Sequence, residues 1–540
     1  MDEQRRQSVR NRIARAATQT IASGRVGLVA LTVLTGVAVA VGVLLRLRLL
    51  GSGSLWMDEL WTLDAVSRSF KEMVGARLVS DQSPPLWTML SWVWLNLVGT
   101  YDAAWMRILP AAFGCVGIAA PIVGAVRMRA LRPTLLVMAS LIALSLFTIQ
   151  YGVEFRAYSM MIGLGAVATV IWAGLLTASL PRTGRWIFAF ALSGALAGFG
   201  HYYGNVLYGA EVLVLLAVLA WERCWRSVGV LFAWGALSVL PVAGWYVATT
   251  RWHQNLAVAS PPSVSELQKW LMYAFAPATN LLQGQPAGYA ETHDQGAIIA
   301  ALVAASVVAA VAFHALRHRE RTAGLPPVSA TGACAIVAVV MGVCAAWAVS
   351  LVTPPSMNVR NLSALLPALF LAAACACTLV PGRVRSMTAS IAIAVLLAAN
   401  GLYISQWGVT SVTPPWQVQA GYRDASAVLI AASHESPAPT LIGLNTSWQW
   451  HGQWDAAIRA ELGSRPAVSS DPEPLPVLWV NSVQDIKPGQ VPPGRVVVFS
   501  DFPDQRTTDL FAWAGKTVGS CKESTFGGPA YGMVTLLECG

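Results

Sequence analysis

Two adjacent carboxylates, Asp58 and Glu59, follow the first long apolar segment of the chain. Carboxylates beside a membrane suit general-base chemistry or cation binding on a substrate that arrives from the lipid phase. A solvated pair of loop acids is the alternative, and the pair alone does not separate the two interpretations. Asp58 and Glu59 are predicted as catalytic residues because further charged side chains are expected on the same side of the membrane.

Arginines near the ends of apolar segments are the second chemical signal. An arginine presents a planar fork of donors that matches phosphate oxygens, and it keeps its charge in proteins. Arg156 and Arg360 are the strongest candidates, although a structural ion pair between Glu154 and Arg156 is an open alternative. His201 is by itself weak evidence, because a structural histidine is the commoner case. The residues predicted to bind substrate are Asp81, Glu154, Arg156, Tyr158, His201, Tyr202 and Arg360.

The composition is that of a membrane protein with many spans. The chain has 540 residues, of which 55% are hydrophobic and 12% charged, and its mean hydropathy is +0.55. These values exclude a soluble enzyme with a single anchor. The basic excess lies within 1–406, whereas 407–540 contains eight Lys and Arg against twelve Asp and Glu. The positive charge therefore indicates membrane topology and not nucleic-acid binding.

Eleven apolar runs have the length of a membrane span. They are 26–48, 103–126, 133–150, 157–178, 186–202, 205–221, 228–248, 297–315, 330–352, 363–381 and 387–406. A twelfth run, 84–100, determines the orientation of everything after it, because only eleven spans keep the Arg-rich connectors cytoplasmic. We therefore predict a cytoplasmic N-terminus and an interfacial helix at 84–100, which begins with Pro84-Pro85 and contains three tryptophans. Arg46 and Arg48, at the outer end of the first span, are expected to meet lipid phosphate.

The long outer loop 249–296 contains one segment with helical periodicity. Ser265–Phe275 is predicted as a surface helix that carries Trp270 and Tyr273. Its Glu266 is interpreted as an ordinary loop charge, as are the other charged residues of this loop.

The C-terminal region is expected to be a separate unit. With eleven spans, 407–540 is extracytoplasmic, while 1–406 forms the transmembrane domain and 51–102 its first outer loop. The fall in hydropathy and the alternation of short segments predict a small α/β domain. Its predicted elements are a helix at Tyr422–Ala432 and strands at Thr440–Leu444, Val477–Val480, Val496–Ser500 and Met533–Leu537. Cys521 and Cys539 are predicted to form a disulfide, with two free buried thiols as the alternative.

Four short motifs occur in order within 1–406. They are Trp56-Met57-Asp58-Glu59, Asp81-Gln82-Ser83-Pro84-Pro85-Leu86-Trp87, Tyr151 through Glu154-Phe155-Arg156-Ala157-Tyr158, and Arg360-Asn361 through Pro367. In this order, and on one side of the membrane, they resemble the GT-C superfamily of membrane glycosyltransferases, in its protein-mannosyltransferase-like (family 39) or aminoarabinose-transferase-like bacterial branch. The chain departs from the family at Gln82-Ser83, where His or Lys often stands, and at Trp87, where Tyr is commoner.

The resemblance implies an inverting transfer of a sugar from a polyprenyl-phosphate-linked donor, on the outer face of a bacterial plasma membrane. It implies that Asp58 is the base with Glu59 as its neighbour, and that Asp81 lines the site. Arg156 and Arg360 would then bind the carrier phosphate. The acceptor would be an envelope glycan, lipid or protein, and the transferred sugar a mannosyl or arabinosyl group. Some relatives bind a divalent metal, but no ligand spacing in this chain is convincing and no metal is assigned.

A transporter or flippase for a lipid-linked sugar is the main alternative. It predicts a sequence repeat and polar residues near the middle of several spans. The sequence has no evident repeat, and Glu211 is the one acid or base well inside a predicted span. A third hypothesis, a sensor or assembly protein that works through its C-terminal region, predicts that Asp58 is dispensable.

Overall fold

The computed structural model describes a helical membrane domain and a C-terminal unit built on one sheet. The structure describes residues 2–51, 57–79, 83–249, 263–275, 327–352, 357–379, 422–434, 438–444, 494–501, 505–526 and 534–539. It also describes Leu55 and short pieces within 389–398, 457–460 and 477–491. Seven helices in these ranges are long and apolar enough to cross a membrane. The chain is therefore a multi-pass membrane protein.

The membrane domain consists of both long and short helices. In chain order they are α1 (Asp2–Leu49), α2 (Met57–Val66), α3 (Phe70–Val79), α4 (Leu86–Val98), α5 (Ala103–Arg127), α6 (Arg132–Leu144), α7 (Leu146–Tyr151), α8 (Tyr158–Leu176), α9 (Gly184–Gly200), α10 (Tyr202–Trp221), α11 (Trp225–Thr249), α12 (Val264–Phe275), α13 (Pro327–Val352), α14 (Val359–Leu362) and α15 (Leu366–Cys377). Nine of the eleven predicted spans coincide with these helices, one of them with α6 and α7 together. The predicted span 297–315 lies outside the described residues, and 387–406 falls on them only in part.

Helix α8 is the centre of the membrane domain. The apolar 18-residue stretch of α8 is 83% buried inside the protein, compared with 22% for the corresponding stretch of α1 and 17% for that of α11. It packs against α5, α9, α10 and α15. A Cβ atom added at Gly163 of α8 would overlap the carbonyl oxygen of Phe113 in α5, so the close crossing of these two helices requires glycine at this position.

A break at Ser145 separates α6 from α7. Ser145 has an extended backbone, so the last carbonyl groups of α6 have no partner in a following helical turn. Arg46 of α1 supplies hydrogen-bond donors to this end of α6. Its guanidinium donates to the carbonyl oxygens of Ala143 and Ile142 at 3.0 and 3.1 Å, and to the Thr148 hydroxyl at 3.0 Å. The expectation that Arg46 meets lipid phosphate is therefore wrong, because this buried cation stabilises the negative end of α6.

Three short helices, α2 to α4, form the loop between α1 and α5. Helix α4 has 13 residues and rises only about 20 Å, less than the ~30 Å of a bilayer core. Helix α4 is therefore too short to cross the membrane by itself, as predicted for 84–100. Its position in the membrane interface stays a prediction. Helix α4 ends at Gly99, which has φ 67°, and its Trp87 is buried against Phe155 and Phe113.

The C-terminal unit contains a mixed five-stranded sheet and two described helices. Its elements are α16 (Tyr422–Ser433), β1 (Thr440–Leu444), β2 (Val477–Val480), β3 (Val496–Asp501), α17 (Gln505–Val518), β4 (Cys521–Phe526) and β5 (Val534–Cys539). The strand order is β2-β1-β3-β5-β4. β1 is parallel to β2 and β3, whereas β5 is antiparallel to β3 and β4. The predicted helix and the four predicted strands are found, but β4 was not predicted because its sequence is mostly polar.

The last two strands are joined by a disulfide. Cys521 and Cys539 lie opposite each other in the register of β4 and β5, and their sulfur atoms are bonded, as predicted. The bond closes a separation of 18 residues. It ties the edge strand β4 to the sheet, which limits fraying at that edge.

One cluster of buried apolar side chains connects the C-terminal unit with the loop between α1 and α5. It contains Leu60 of α2 and Trp87 of α4 together with Leu429 of α16 and Val497 of β3. The C-terminal unit therefore lies on the same side of the membrane domain as α2 and α4. The division of the chain at 406 and the extracytoplasmic position of the C-terminal unit stay predictions.

Candidate active site

The two carboxylates predicted as catalytic lie in the first turn of α2. Negative charge is favoured there because the amino-terminal end of a helix carries partial positive charge. Neighbouring positions on a helix point about 100° apart, so Asp58 and Glu59 face different surroundings. The Asp58 side chain is 14% exposed, whereas that of Glu59 is completely buried.

Glu59 forms a buried, bidentate ion pair with Arg107 of α5. Arg107 Nε donates to Glu59 Oε1 at 2.9 Å, and Nη2 donates to Oε2 at 2.7 Å. The backbone amide of Phe155 also donates to Glu59 Oε1, at 2.8 Å. One carboxylate thus joins α2, α5 and the turn before α8, with most of its hydrogen-bonding capacity satisfied.

Two arginines contact Asp58 from different elements. Nη1 of Arg360 donates to Asp58 Oδ2 at 2.9 Å. Nη1 of Arg156 donates to the backbone carbonyl oxygen of Asp58 and to the hydroxyl of Thr62, both at 3.2 Å. Arg156 thus contacts α2, and the alternative ion pair with Glu154 is not formed. The result is one accessible carboxylate with two guanidinium groups beside it.

Arg360 is carried by α14, a single helical turn with its own caps. Asn358 Oδ1 accepts a hydrogen bond from the Asn361 amide at 2.8 Å. Glu266 of α12 accepts a hydrogen bond from the Val359 amide at 3.1 Å. The surface helix predicted at Ser265–Phe275 is present as α12, but the interpretation of Glu266 as an ordinary loop charge is wrong, because it satisfies a free amide at the start of α14.

Glu154 lies in the turn between α7 and α8 and is buried. Its Oε1 accepts a hydrogen bond from Gln150 Nε2 at 3.0 Å, while its buried Oε2 has no hydrogen-bond partner among the described residues. Burial raises the pKa of Glu154 to about 8, against the opposing effect of Arg360. The nearby carboxylates of Glu59 and Asp58 contribute to the rise. At neutral pH this carboxyl group is therefore mostly protonated and can donate a hydrogen bond.

Aromatic rings line the same end of the helices. Tyr158, at the start of α8, lies between Tyr151 and His201, with ring centroids 4.8 and 5.5 Å away. His201 caps α10, because its Nδ1 accepts from the Tyr203 amide at 3.4 Å. Burial, assisted by the charge of Arg156, lowers the pKa of His201 to about 4, so the ring is neutral at physiological pH.

The structure brings most of the predicted site residues together. Seven of them are grouped at one end of the membrane domain: Asp58, Glu59, Glu154, Arg156, Tyr158, His201 and Arg360. The Tyr202 ring contacts Tyr246 of α11 instead, at 5.9 Å between centroids. Asp81 lies outside the described residues.

Four contributors to the site were not predicted. They are Thr62, Arg107, Gln150 and Glu266. Arg107 carried a usable signal, because a basic residue within an apolar span requires a partner. In the described part of the chain, no group of three His, Cys, Asp or Glu side chains could hold a divalent metal ion.

Neither family models nor curated protein sequences match this chain. Among solved structures, ArnT from Cupriavidus metallidurans bound to undecaprenyl phosphate is similar over 93% of this chain and 97% of its own, with a TM-score of 0.50 and 13% identity. The chain has the GT-C fold. The apo state of the same ArnT gives a TM-score of 0.44 at 13% identity, over 94% of this chain and 98% of its own. AglB from Archaeoglobus fulgidus gives a TM-score of 0.41 at 12% identity, over 90% of this chain and 71% of its own. The similarity to ArnT bound to undecaprenyl phosphate confirms the fold expected from the sequence motifs.

The buried Glu59–Arg107 pair should be energetically coupled. Glu59→Gln keeps an acceptor for Phe155 but leaves the Arg107 charge uncompensated, and Arg107→Met leaves a buried anion, so each should cost about 3–5 kcal/mol. The double variant should cost less than the sum, because no unpaired charge remains. The measurement is thermal unfolding in detergent, with Asp64→Asn, which breaks the partly exposed Asp64–Arg68 pair, as the control. Additive losses would contradict the coupling.

Glu154 should make stability depend on pH. Its pKa is near 8 in the folded protein and 4.5 ordinarily, so between these values the folded state holds a proton that the unfolded state has lost. Stability should therefore fall as pH rises from 4.5 to 8, by an amount on the order of several kcal/mol. Glu154→Gln should flatten the dependence of melting temperature on pH, whereas Glu72→Gln, at an exposed carboxylate, should not. An unchanged slope in Glu154→Gln would contradict this assignment.

Proposed function

We propose that the protein is an inverting glycosyltransferase that moves a sugar from a polyprenyl-phosphate-linked donor to a cell-envelope acceptor. The observation that carries the proposal is the contact between Asp58 and Arg360, together with the hydrogen bond from Arg156 to the backbone carbonyl oxygen of Asp58. A carboxylate that can accept a proton stands beside cations that can bind a phosphate. The transfer requires both functions within a few ångströms of each other.

The fold supports a polyprenyl phosphate as the carrier. The ArnT structure that is similar over nearly the whole of both chains was solved with undecaprenyl phosphate. By analogy of fold, we assign the same chemical class of carrier to this protein. Arg360 and Arg156 are the residues that would bind its phosphate, because a guanidinium offers paired donors to phosphate oxygens.

The reaction is a single displacement. Asp58 takes the proton of an acceptor hydroxyl, whose oxygen forms a bond to the anomeric carbon of the donor sugar. The bond between that carbon and the phosphate oxygen breaks, and its electron pair leaves with the phosphate. Arg360 and Arg156 stabilise the negative charge that grows on this leaving group. Attack from the face opposite the phosphate inverts the configuration at the anomeric carbon.

Arg360 connects donor binding with the base. Its Nη1 contacts the Asp58 carboxylate at 2.9 Å, so a phosphate bound by Arg360 competes with Asp58 for the same donor group. A phosphate carries more oxygens and attracts the guanidinium more strongly. Donor binding would thereby leave Asp58 Oδ2 available for the proton of the acceptor.

The other predicted residues receive supporting roles. Glu59 is a positioning residue, since both of its carboxylate oxygens accept hydrogen bonds from Arg107. Neutral Glu154 is suited to donate a hydrogen bond to a sugar hydroxyl, and the Tyr158 and His201 rings offer an apolar face to a sugar. We retain Asp81 and Tyr202 as substrate-binding residues of the proposed site.

The acceptor is proposed to be an envelope glycan, lipid or protein, and the sugar a mannosyl or arabinosyl group. We place the reaction on the outer face of a bacterial plasma membrane, with the N-terminus cytoplasmic. The apolar cluster that joins α2 and α4 with the C-terminal unit supports a role of this unit close to the site.

The transporter hypothesis receives little support from the interior of the helices. Glu211 Oε1 accepts a hydrogen bond from Thr169 at 2.6 Å, and the Glu211 carbonyl oxygen accepts from Trp172 Nε1 at 2.8 Å. These contacts join α8 to α10. Only the first of these bonds involves the carboxyl group, whose Oε2 is buried without a hydrogen-bond partner among the described residues. A transport path would require polar groups in several helices that face a cavity, whereas Glu211 is a single buried carboxyl group tied to a neighbouring helix.

Loss of the base should abolish transfer without loss of the fold. Asp58→Asn should lower turnover about 10²–10⁴-fold, because the amide cannot accept the proton of the acceptor. The measurement is sugar transfer or release from a panel of radiolabelled polyprenyl-phosphate sugars by the protein in nanodiscs. Asp64→Asn, on the same helix, should retain activity. Undiminished turnover in Asp58→Asn would overturn the assignment, and tight donor binding without release by any variant would favour a transporter.

Arg360 should govern affinity for the carrier. Arg360→Gln removes charge-assisted hydrogen bonds to phosphate, worth about 1.5–3 kcal/mol, so the KM for the donor and the inhibition constant of undecaprenyl phosphate should rise about tenfold or more. Arg68→Gln, which removes a half-buried arginine of the loop between α1 and α5, is the matched control. Equal inhibition constants in the wild type and Arg360→Gln would show that the phosphate binds elsewhere.

A further inference from the structure

Trp186, in the first turn of α9, is accompanied by two guanidinium groups. The guanidinium carbon of Arg127, at the end of α5, lies 5.7 Å from the centroid of the Trp186 ring, and that of Arg185 lies 5.6 Å from it. Both distances are within the range of a cation–π contact. Two like charges close to one ring repel each other, so an anion shared between them would stabilise the arrangement.

The three side chains retain unused capacity for an anion. Within the described ranges, neither Arg127 nor Arg185 has a carboxylate partner, and both are exposed. The indole Nε1 of Trp186 is buried and has no hydrogen-bond partner there either. Glu222, the acid at the end of α10, is already paired with Arg182. Two guanidinium groups and one unpartnered indole N–H thus belong to a single cluster around one ring, and no acid among the described residues pairs with either cation.

This cluster lies one bilayer thickness from the proposed active site. Arg107 and Arg127 are both in α5, and the twenty residue steps from one to the other rise about 30 Å along the helix, which is the thickness of the hydrocarbon core. Trp221 and Trp225, at the same end of the neighbouring helices, are 89% and 65% exposed. Exposed tryptophans mark the level of the lipid headgroups.

We propose that Arg127, Arg185 and Trp186 form a binding site for the phosphate of an anionic phospholipid in the leaflet opposite the active site. The guanidinium groups would bind the phosphate oxygens, and the indole N–H would donate to the same headgroup. A general excess of basic residues at this face attracts anionic lipid without selecting a position. Convergence on Trp186 distinguishes a site from that general attraction. The site is independent of the proposed glycosyltransfer.

The test is lipid binding by the full chain. Purified protein is titrated with phosphatidylglycerol or phosphatidylcholine, and bound lipids are counted by native mass spectrometry. Arg127→Gln with Arg185→Gln should weaken phosphatidylglycerol binding about tenfold, and Trp186→Phe should weaken it by a smaller factor. The matched control is Arg223→Gln with Arg226→Gln, which removes the same charge from the same face and should leave the tightest binding event intact. Melting temperatures identify any variant that has lost its fold.

Two results would overturn the proposal. Equal losses in both double variants would mean that lipid binds through diffuse charge and not at Trp186. Displacement of phosphatidylglycerol by millimolar inorganic phosphate, with the same dependence on Arg127 and Arg185, would identify free phosphate as the ligand. Selective loss in the Arg127 and Arg185 variant, with inorganic phosphate ineffective, would establish the lipid site.

Discussion

The buried ion pair between Glu59 and Arg107 is the interaction on which the candidate active-site end of the protein depends. Its two charges have been removed from water, so each is tolerated only because the other is present. The pair fixes α2 against α5, and the added bond from the Phe155 amide fixes the turn before α8. Asp58 and Arg156 are the sequence neighbours of these anchored residues. Their positions, and hence the site, follow from the anchor.

The site is built where helices stop. Glu154 and Arg156 lie in the turn after the short helix α7, and Arg360 lies in the single turn α14. Backbone groups freed by such breaks must find partners near a membrane, since lipid offers none. Arg46 at the end of α6 and Glu266 at the start of α14 provide them. Charged residues outside the candidate site therefore hold the irregular backbone that positions Glu154, Arg156 and Arg360.

The charge of the site suits an anionic substrate. Asp58 is the accessible acid, Glu59 is neutralised by Arg107, and Glu154 holds its proton at neutral pH because it is buried. Among the described residues, Arg360 and Arg156 therefore leave the surroundings of Asp58 positive overall. In the proposed reaction, this charge favours the entry of a phosphate, while the carboxylate of Asp58 remains to accept a proton.

The sequence by itself determined the membrane class, most spans, four strands, the disulfide and the identity of most polar residues at the site. These features depend on local hydropathy, periodicity and residue type, which are legible in a single chain. Only the tertiary structure decided which charges meet: Glu59 and Arg107 are 48 residues apart, and Asp58 and Arg360 are 302 apart. Pairing over such distances is set by helix packing. A sequence pattern therefore cannot tell that Glu59 is the anchoring carboxylate and that its neighbour Asp58 is the accessible one. Strand β4 was missed for the related reason that its partner strand, and not its own polar sequence, holds it in the sheet.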